Sequence, residues 1–420
     1  MGCGPRDSQG NRPRRMSDRP LKPATRAVEA GRRKQWTSLP GQPGGVVNPA
    51  VWRASTHLYD DSADHAGGRP NEDGHFYYGR RGGPTQWALA TALTELEPGA
   101  EGTELFPSGV AAIAATLLAL LRPGDELLFT DNAYEPSRAI ALGLLRQYGI
   151  NARAFDPLDV DGFAAAIGDK TRVVLLESPG SLTMEVCDIP ALAAIARDKG
   201  VLSVLDNTWA GPLGFPALAR GCDVSLMSLT KHVGGHSDLM MGSASAAGPV
   251  LERIRRQAQF MGQVVSPDDA ALALRGLRTM PLRLERSAAA ALQVATWLAG
   301  RPEVSAVLCP MLPGSPDHAL WQRDFSGGCG LFSFVLAKGH DKPARARLID
   351  ALELFGIGYS WGGYESLVIP FDPAPIHTLR PWPAGIDAGS GLGVRLSIGL
   401  EDPADLIADL ERGLAALGEP

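Results

Sequence analysis

No stretch of this sequence approaches the roughly 18 to 20 apolar residues that span a bilayer. The longest candidate, Ala111 to Leu121, is closed off by Ser108-Gly109 before it and Arg122-Pro123-Gly124 after it. A secretory h-region is also missing, so a soluble protein with no membrane partner is expected. Cysteine is sparse: Cys3, Cys187, Cys222, Cys309 and Cys329 are odd in number and lack metal-ligand spacing. That argues against a disulfide framework and fits a reducing, cytoplasmic setting. Neither sign of charge dominates, with 40 Lys and Arg against 46 Asp and Glu and a net charge of −6, so nucleic acid is not the expected partner. No Gly-x-Gly-x-x-Gly follows an apolar strand, which counts against a dinucleotide site. His232 and His236 enclose Gly234-Gly235, a pair unsuited to a helix, and no acid completes a zinc set, so no metal is expected.

What is present suits a large globular enzyme. Hydrophobic residues make up 45% and charged residues 20% of 420 positions, enough chain for two or three domains. Residues 1–75 are rich in Gly, Pro and polar residues and begin with a basic run from Arg6 to Lys34. Such a segment cannot build its own core and is expected to be an arm lying on a neighbouring subunit, with roughly its first fifteen residues disordered and Met16 as an alternative start. Over 76–270, apolar strands alternate with helices: 126–130, 172–177, 201–205 and 224–229 read as strands, and 109–121, 138–148 and 189–199 as helices. This α/β alternation implies right-handed crossovers and a mostly parallel sheet covered by helices on both faces. From 271 to 420 the texture changes to long helices at 268–275 and 282–298 and strand-like pieces at 330–336 and 393–398. A smaller α+β domain is expected there.

Ligands of parallel sheets sit beyond the carboxyl ends of the strands. Two such ends carry Asp206, in Leu205-Asp206-Asn207-Thr208, and Lys231, in Ser228-Leu229-Thr230-Lys231-His232. A strand-end acid, a lysine and hydroxyls flanking it suit pyridoxal 5'-phosphate (PLP): the lysine forms the Schiff base, the acid keeps the pyridine nitrogen protonated, and hydroxyls take the phosphate. Each alone is equally a turn acid or a solvated surface lysine; the combination points to the cofactor. Phe106-Pro107-Ser108-Gly109-Val110 is a turn entering a helix, suited to a phosphate or to plain N-capping. Tyr134, just past a strand, is suited to stacking on a flat ring or to an ordinary boundary position.

Together these motifs resemble the cysteine/methionine-metabolism family of PLP enzymes, of the aspartate-aminotransferase fold type, over about Arg26 to Leu414. The resemblance implies a seven-stranded-type sheet and assigns roles position by position. Ser108, Gly109 and Val110 correspond to the phosphate-binding turn, and Val110 stands where Ala or Met is more usual. Tyr134 corresponds to the stacking tyrosine, Asp206 to the pyridinium partner, Ser228 and Thr230 to the phosphate hydroxyls, and Lys231 to the catalytic lysine. Tyr78 and Arg80, in Tyr77-Tyr78-Gly79-Arg80, correspond to residues that reach the phosphate, and in the case of Tyr78 the substrate, of a neighbouring subunit. Arg395 corresponds to the clamp on the substrate carboxylate, which a guanidinium fork suits. Glu177-Ser178-Pro179-Gly180-Ser181 and Ser360-Trp361-Gly362-Gly363 resemble the β-eliminating branch, in which the tryptophan narrows the site. The implied activity is α,β-elimination of a small amino-acid thioether, cystathionine, in methionine biosynthesis, by a homotetramer built from two dimers with shared sites. Rival readings are a γ-acting relative (methionine γ-lyase, cystathionine γ-lyase or γ-synthase) and a non-catalytic PLP-fold regulatory protein.

Overall fold

Short apolar strands whose alternate side chains face opposite ways build a sheet buried on both sides. In the computed structural model, which describes residues 21–67, 76–376, 378–379 and 387–418, seven strands form it. They are β1 (Gly102–Phe106), β2 (Glu126–Thr130), β3 (Asn151–Phe155), β4 (Thr171–Glu177), β5 (Leu202–Asp206), β6 (Val224–Ser228) and β7 (Gly242–Ala246). Their order is β1-β7-β6-β5-β4-β2-β3. The run from β3 to β6 is parallel, and only β7 is reversed, pairing antiparallel with both β1 and β6. Along β4, Val173 and Leu175 join the core beneath helices Gly109–Leu120 and Gly248–Met261, whereas Val174 and Leu176 join the core on the other face.

Five further strands, β8 (Val304–Leu308), β9 (Leu331–Leu336), β10 (Gly356–Ile357), β11 (Leu367–Phe371) and β12 (Gly393–Ser397), form the smaller sheet in the order β10-β11-β12-β9-β8. It is antiparallel except for the β10–β11 pair. Its Phe332, Phe334, Val394 and Leu396 share one hydrophobic core with Leu128, Val174, Leu176 and Leu205 of the larger sheet. The two sheets are therefore joined by packing as well as by chain.

Two helices differ from the sequence reading. The pieces expected at 268–275 and 282–298 are one 33-residue helix, Pro267–Ala299, that runs through Pro281. Proline removes a backbone donor from a helix interior, and here the neighbouring turn recruits a side chain: Arg283 donates to the Gly276 carbonyl at 2.7 Å and to Thr279 at 3.1 Å. The helix expected at 138–148 begins at Glu135 and passes through a π turn at Ile140–Leu144. The N-terminal segment is partly tied to its own chain. Arg278 donates to the carbonyls of Ala27, Val28 and Ala30, the open end of helix Pro23–Glu29, and Arg26 donates to those of Glu95 and Leu96. The disorder expected for the first fifteen or so residues lies outside the described residues.

Glu97 is buried where helix Pro84–Leu96 ends. One oxygen accepts the Leu218 amide at 3.2 Å and the other has no partner. Loss of hydration pushes its pKa up to about 7. The folded protein therefore keeps a proton that the unfolded chain releases near the ordinary glutamate value. The stability this contributes is whole below about pH 4.5 and falls away, by about 3 kcal/mol, as pH rises toward 7. Glu97→Gln should raise the melting temperature at pH 8 and leave it nearly unchanged at pH 4.5; equal shifts at both values would contradict a titrating Glu97.

Candidate active site

The carboxyl ends of β4, β5 and β6 deliver Glu177, Asp206 and Ser228 to one edge of the large sheet. A cavity of about 180 Å³ opens there. Ser108, Gly109, Val110, Tyr134, Asp206, Ser228, Thr230, Lys231, Trp361 and Arg395 all line it. Ser360 reaches the same point from outside the lining, its Oγ accepting from Lys231 Nζ at 3.1 Å. Tyr78 and Arg80 do not line this cavity. They are exposed or half-exposed at the surface, with the Arg80 guanidinium 5.9 Å from the Tyr78 ring centre and a 3.4 Å hydrogen bond to the Gln259 carbonyl.

Each wall has a local cause. Ser108 caps helix Gly109–Leu120 by accepting the Ala111 amide at 3.1 Å, which leaves the first turn's N–H groups facing the cavity edge. A Cβ on Gly109 would stand 2.9 Å from that of Ser228, so only glycine lets turn and strand meet. Asp206 accepts the Thr208 amide at 3.1 Å and its hydroxyl at 2.6 Å. Opposite, Arg395 on β12 donates to the Tyr359 and Ser360 carbonyls at 2.9 and 3.0 Å, which ties the loop before β11 to the small sheet. Its Nε is buried with no partner. Gly362, at φ +80°, turns this loop back over Lys231 and His232, where a Cβ would come within 3.2 Å of both side chains. The Trp361 ring centre consequently lies 5.3 Å from Lys231 Nζ.

Burial sets the protonation states. Lys231 falls to about 8, mainly by loss of hydration and then by the charge of Arg395, against the pull of Asp206. Desolvation raises Asp206 above the ordinary range, and raises Glu177 further with the help of the Asp206 charge. Tyr134 is raised by burial and by the same acids, and Arg395 is lowered to about 10 by burial. The set fits PLP. A helix start beside the Ser228 hydroxyl suits phosphate, a buried acid suits a protonated ring nitrogen, a half-neutral amine suits an aldehyde, and an unpartnered guanidinium N–H suits a carboxylate. Thr230 fits less simply, because its hydroxyl already exchanges hydrogen bonds with the Met241 backbone at 3.0 and 3.3 Å.

Three participants escape motif reading. Thr208 bonds Asp206 and also accepts the Ser228 amide at 2.9 Å, joining two strand ends. His232 is buried and held neutral, its pKa lowered to about 3 by burial. It bonds the Trp209 carbonyl at 3.2 Å and meets Trp361 edge-on, with ring centres 5.3 Å apart. In the sequence it draws attention only as half of the His232/His236 pair, which lacks an acid ligand and is not expected to bind a metal; among the described residues no cluster suits a metal ion. Glu177 accepts the Tyr134 amide at 2.6 Å; in the sequence it stands only as a strand end opening the Glu177-Ser178-Pro179-Gly180-Ser181 segment, with no role of its own.

The model of the Cys/Met metabolism PLP-dependent enzymes matches residues 24–415. The chain belongs to that family. It is 44% identical to the cystathionine beta-lyase MetC of Escherichia coli (strain K12) over 406 residues, 96% of this chain and all of that one. A cystathionine gamma-synthase of Mycobacterium bovis is 36% identical, covering 93% of this chain and 96% of that one. Among solved structures, metB from Corynebacterium glutamicum superposes with a TM-score of 0.82 at 29% identity, over 94% and 98% of the two chains. PLP is the cofactor this family uses, and its members are typically oligomeric.

The lowered Lys231 amine has a direct test. In cofactor-free protein, acylation of Lys231 followed by peptide mass spectrometry should reach half its plateau rate near pH 8, where exposed lysines follow a midpoint near 10.5. A Lys231 midpoint at or above that of the exposed lysines would show an amine that is neither desolvated nor pressed by Arg395.

Proposed function

We propose that this chain is a carbon–sulfur lyase of the cystathionine β-lyase type, which takes cystathionine to homocysteine, pyruvate and ammonia in cytoplasmic sulfur amino-acid metabolism. The observation that carries the reading is the Trp361 indole 5.3 Å from the Lys231 amine, supported by the 44% identity to a protein of that name. When bound, PLP supplies an electron sink for the pair released from the substrate Cα–H bond. Lys231 Nζ would hold the cofactor through its aldehyde in the resting enzyme. Once freed, the same amine takes the Cα proton, which its pKa near 8 allows close to neutral pH, and then gives it to the sulfur leaving Cβ. The three-carbon enamine released hydrolyses to pyruvate and ammonia. Asp206 keeps a proton on the ring nitrogen. Arg395 binds the substrate carboxylate through the N–H groups its backbone partners leave open, so the Cα–H bond faces Lys231. Ser108, Gly109, Val110, Ser228 and Thr230 would hold the phosphate, and Tyr134, its phenol kept protonated by burial and the neighbouring acids, would stack on the ring.

Trp361 and Ser360 limit the room beside Lys231. Migration of reactivity to Cγ needs space that the indole fills, while Cβ–S cleavage does not. Incubation with cystathionine should therefore give pyruvate and homocysteine; a yield dominated by 2-oxobutyrate and cysteine would assign the chain to the γ-acting relatives, and no keto acid from PLP-loaded protein would favour a non-catalytic role. Trp361→Leu should lower kcat/KM for β-elimination by roughly ten- to two-hundredfold, the scale of one apolar contact of about 1 to 3 kcal/mol.

A tetramer built from two dimers with shared sites accounts for Tyr78 and Arg80, which are away from their own chain's cavity and are assigned to a neighbour's phosphate. Four free, buried cysteines among the described residues support a reducing compartment. No helix among the described residues is long and apolar enough to cross a membrane. Mixing inactive Lys231→Ala chains with inactive Arg80→Ala chains should restore activity, to about a quarter of the sites at equal mixing under random pairing of chains. Verified hybrids without any recovery would count against a shared site.

A further inference from the structure

Two carboxyl groups line the cavity, and the elimination chemistry gives a task to only one of them. Asp206 serves the ring nitrogen. Glu177 is its register neighbour across the β4–β5 pair, and no cation contributes to its surroundings. Its Oε2 instead accepts the backbone N–H of Tyr134 at 2.6 Å, bridging the ends of β4 and β2. Tyr134 stands at the turn into the helix that starts at Glu135, with φ −48° and ψ 133°. The residue lines the cavity yet is 42% exposed overall. A ring with that much freedom on one side is oriented chiefly through its backbone, and the backbone here is held by Glu177.

We propose that Glu177 is the positioning residue for Tyr134: its carboxyl group clamps the Tyr134 amide and thereby sets the angle of the ring against the bound cofactor. The inference rests on the reading that Tyr134 stacks on PLP. It also explains why a second acid is tolerated beside Asp206. Asp206 receives two hydrogen bonds from Thr208, which favour its anion. Glu177 receives one, and burial together with the Asp206 charge pushes its pKa well above the ordinary carboxyl range. The proton thus rests on Glu177 and the single negative charge on Asp206, the separation of roles expected where two carboxyls share one environment. A protonated carboxyl accepts an amide N–H through its carbonyl-type oxygen, and a carboxamide does the same. Glutamine should therefore replace Glu177, whereas alanine should not.

The test is PLP affinity, measured by titrating apoprotein and following the absorbance of the bound cofactor, for wild type, E177Q, E177A, Y134A and E177A/Y134A. E177Q should stay within about twofold of wild type, and E177A should bind roughly tenfold more weakly. The double variant should be no weaker than Y134A alone, since contacts that act as one unit are non-additive. Three results would overturn the clamp: wild-type affinity in E177A, losses that multiply in the double variant, or E177Q falling as far as E177A. If E177A fails to fold, E177Q still decides through the pH midpoint of the holoenzyme's visible band. That midpoint should match wild type if Glu177 is neutral, and a displaced midpoint would refute it. PLP affinity does not depend on which bond the enzyme breaks, so a γ-elimination product from cystathionine would remove the functional reading and leave this result standing.

Discussion

Asp206 and Lys231 are brought together out of water at the end of a parallel sheet, and most of the site answers to the cost of doing so. An acid and an amine lose hydration there, which pushes their pKa values toward one another and leaves the amine half neutral near pH 8. That cost is met by specific partners. Thr208 supplies two hydrogen bonds to the acid, the Arg395 charge discourages protonation of the lysine, and the loop carrying Gly362 turns back over the lysine. The sheet's role is to fix strand ends in register, so that these groups meet without any one of them being free to move off.

Much of this arrangement is legible in the sequence, for a physical reason. Asp206, Lys231 and the Ser108-Gly109-Val110 turn lie at junctions between an apolar strand and a loop or helix. Parallel topology places such junctions on one edge regardless of sequence separation. Arg395 and Trp361 are legible only through resemblance, because nothing in composition tells which end of a later strand meets the first sheet. The partners of these residues stay hidden. Glu177 reads as the last residue of a strand and His232 as a histidine with no metal partners, since their work lies in one backbone hydrogen bond and one ring contact that no local pattern encodes.

The helices illustrate the other limit. Pro281 is a strong breaker in isolation, yet helix Pro267–Ala299 continues through it, because buried positions on both sides of the proline pack against the two cores. Tertiary packing outweighs a local penalty of about 3 kcal/mol. The π turn at Ile140–Leu144, which buries Ile140 and Ala141, is likewise something periodicity alone does not register.

The core shared by the two sheets bears on how the protein comes apart. Phe332, Val394 and Leu396 lie in the same apolar body as Val174, Leu176 and Leu205, so the strand bearing Arg395 cannot leave without exposing the underside of the strands bearing Glu177 and Asp206. Melting of the small sheet alone is thus costly, and unfolding of the described body should be cooperative across both. A partly unfolded chain that still grips its cofactor while presenting no carboxylate clamp would be scarce. That scarcity keeps cellular amines from meeting a cofactor aldehyde held without its carboxylate clamp.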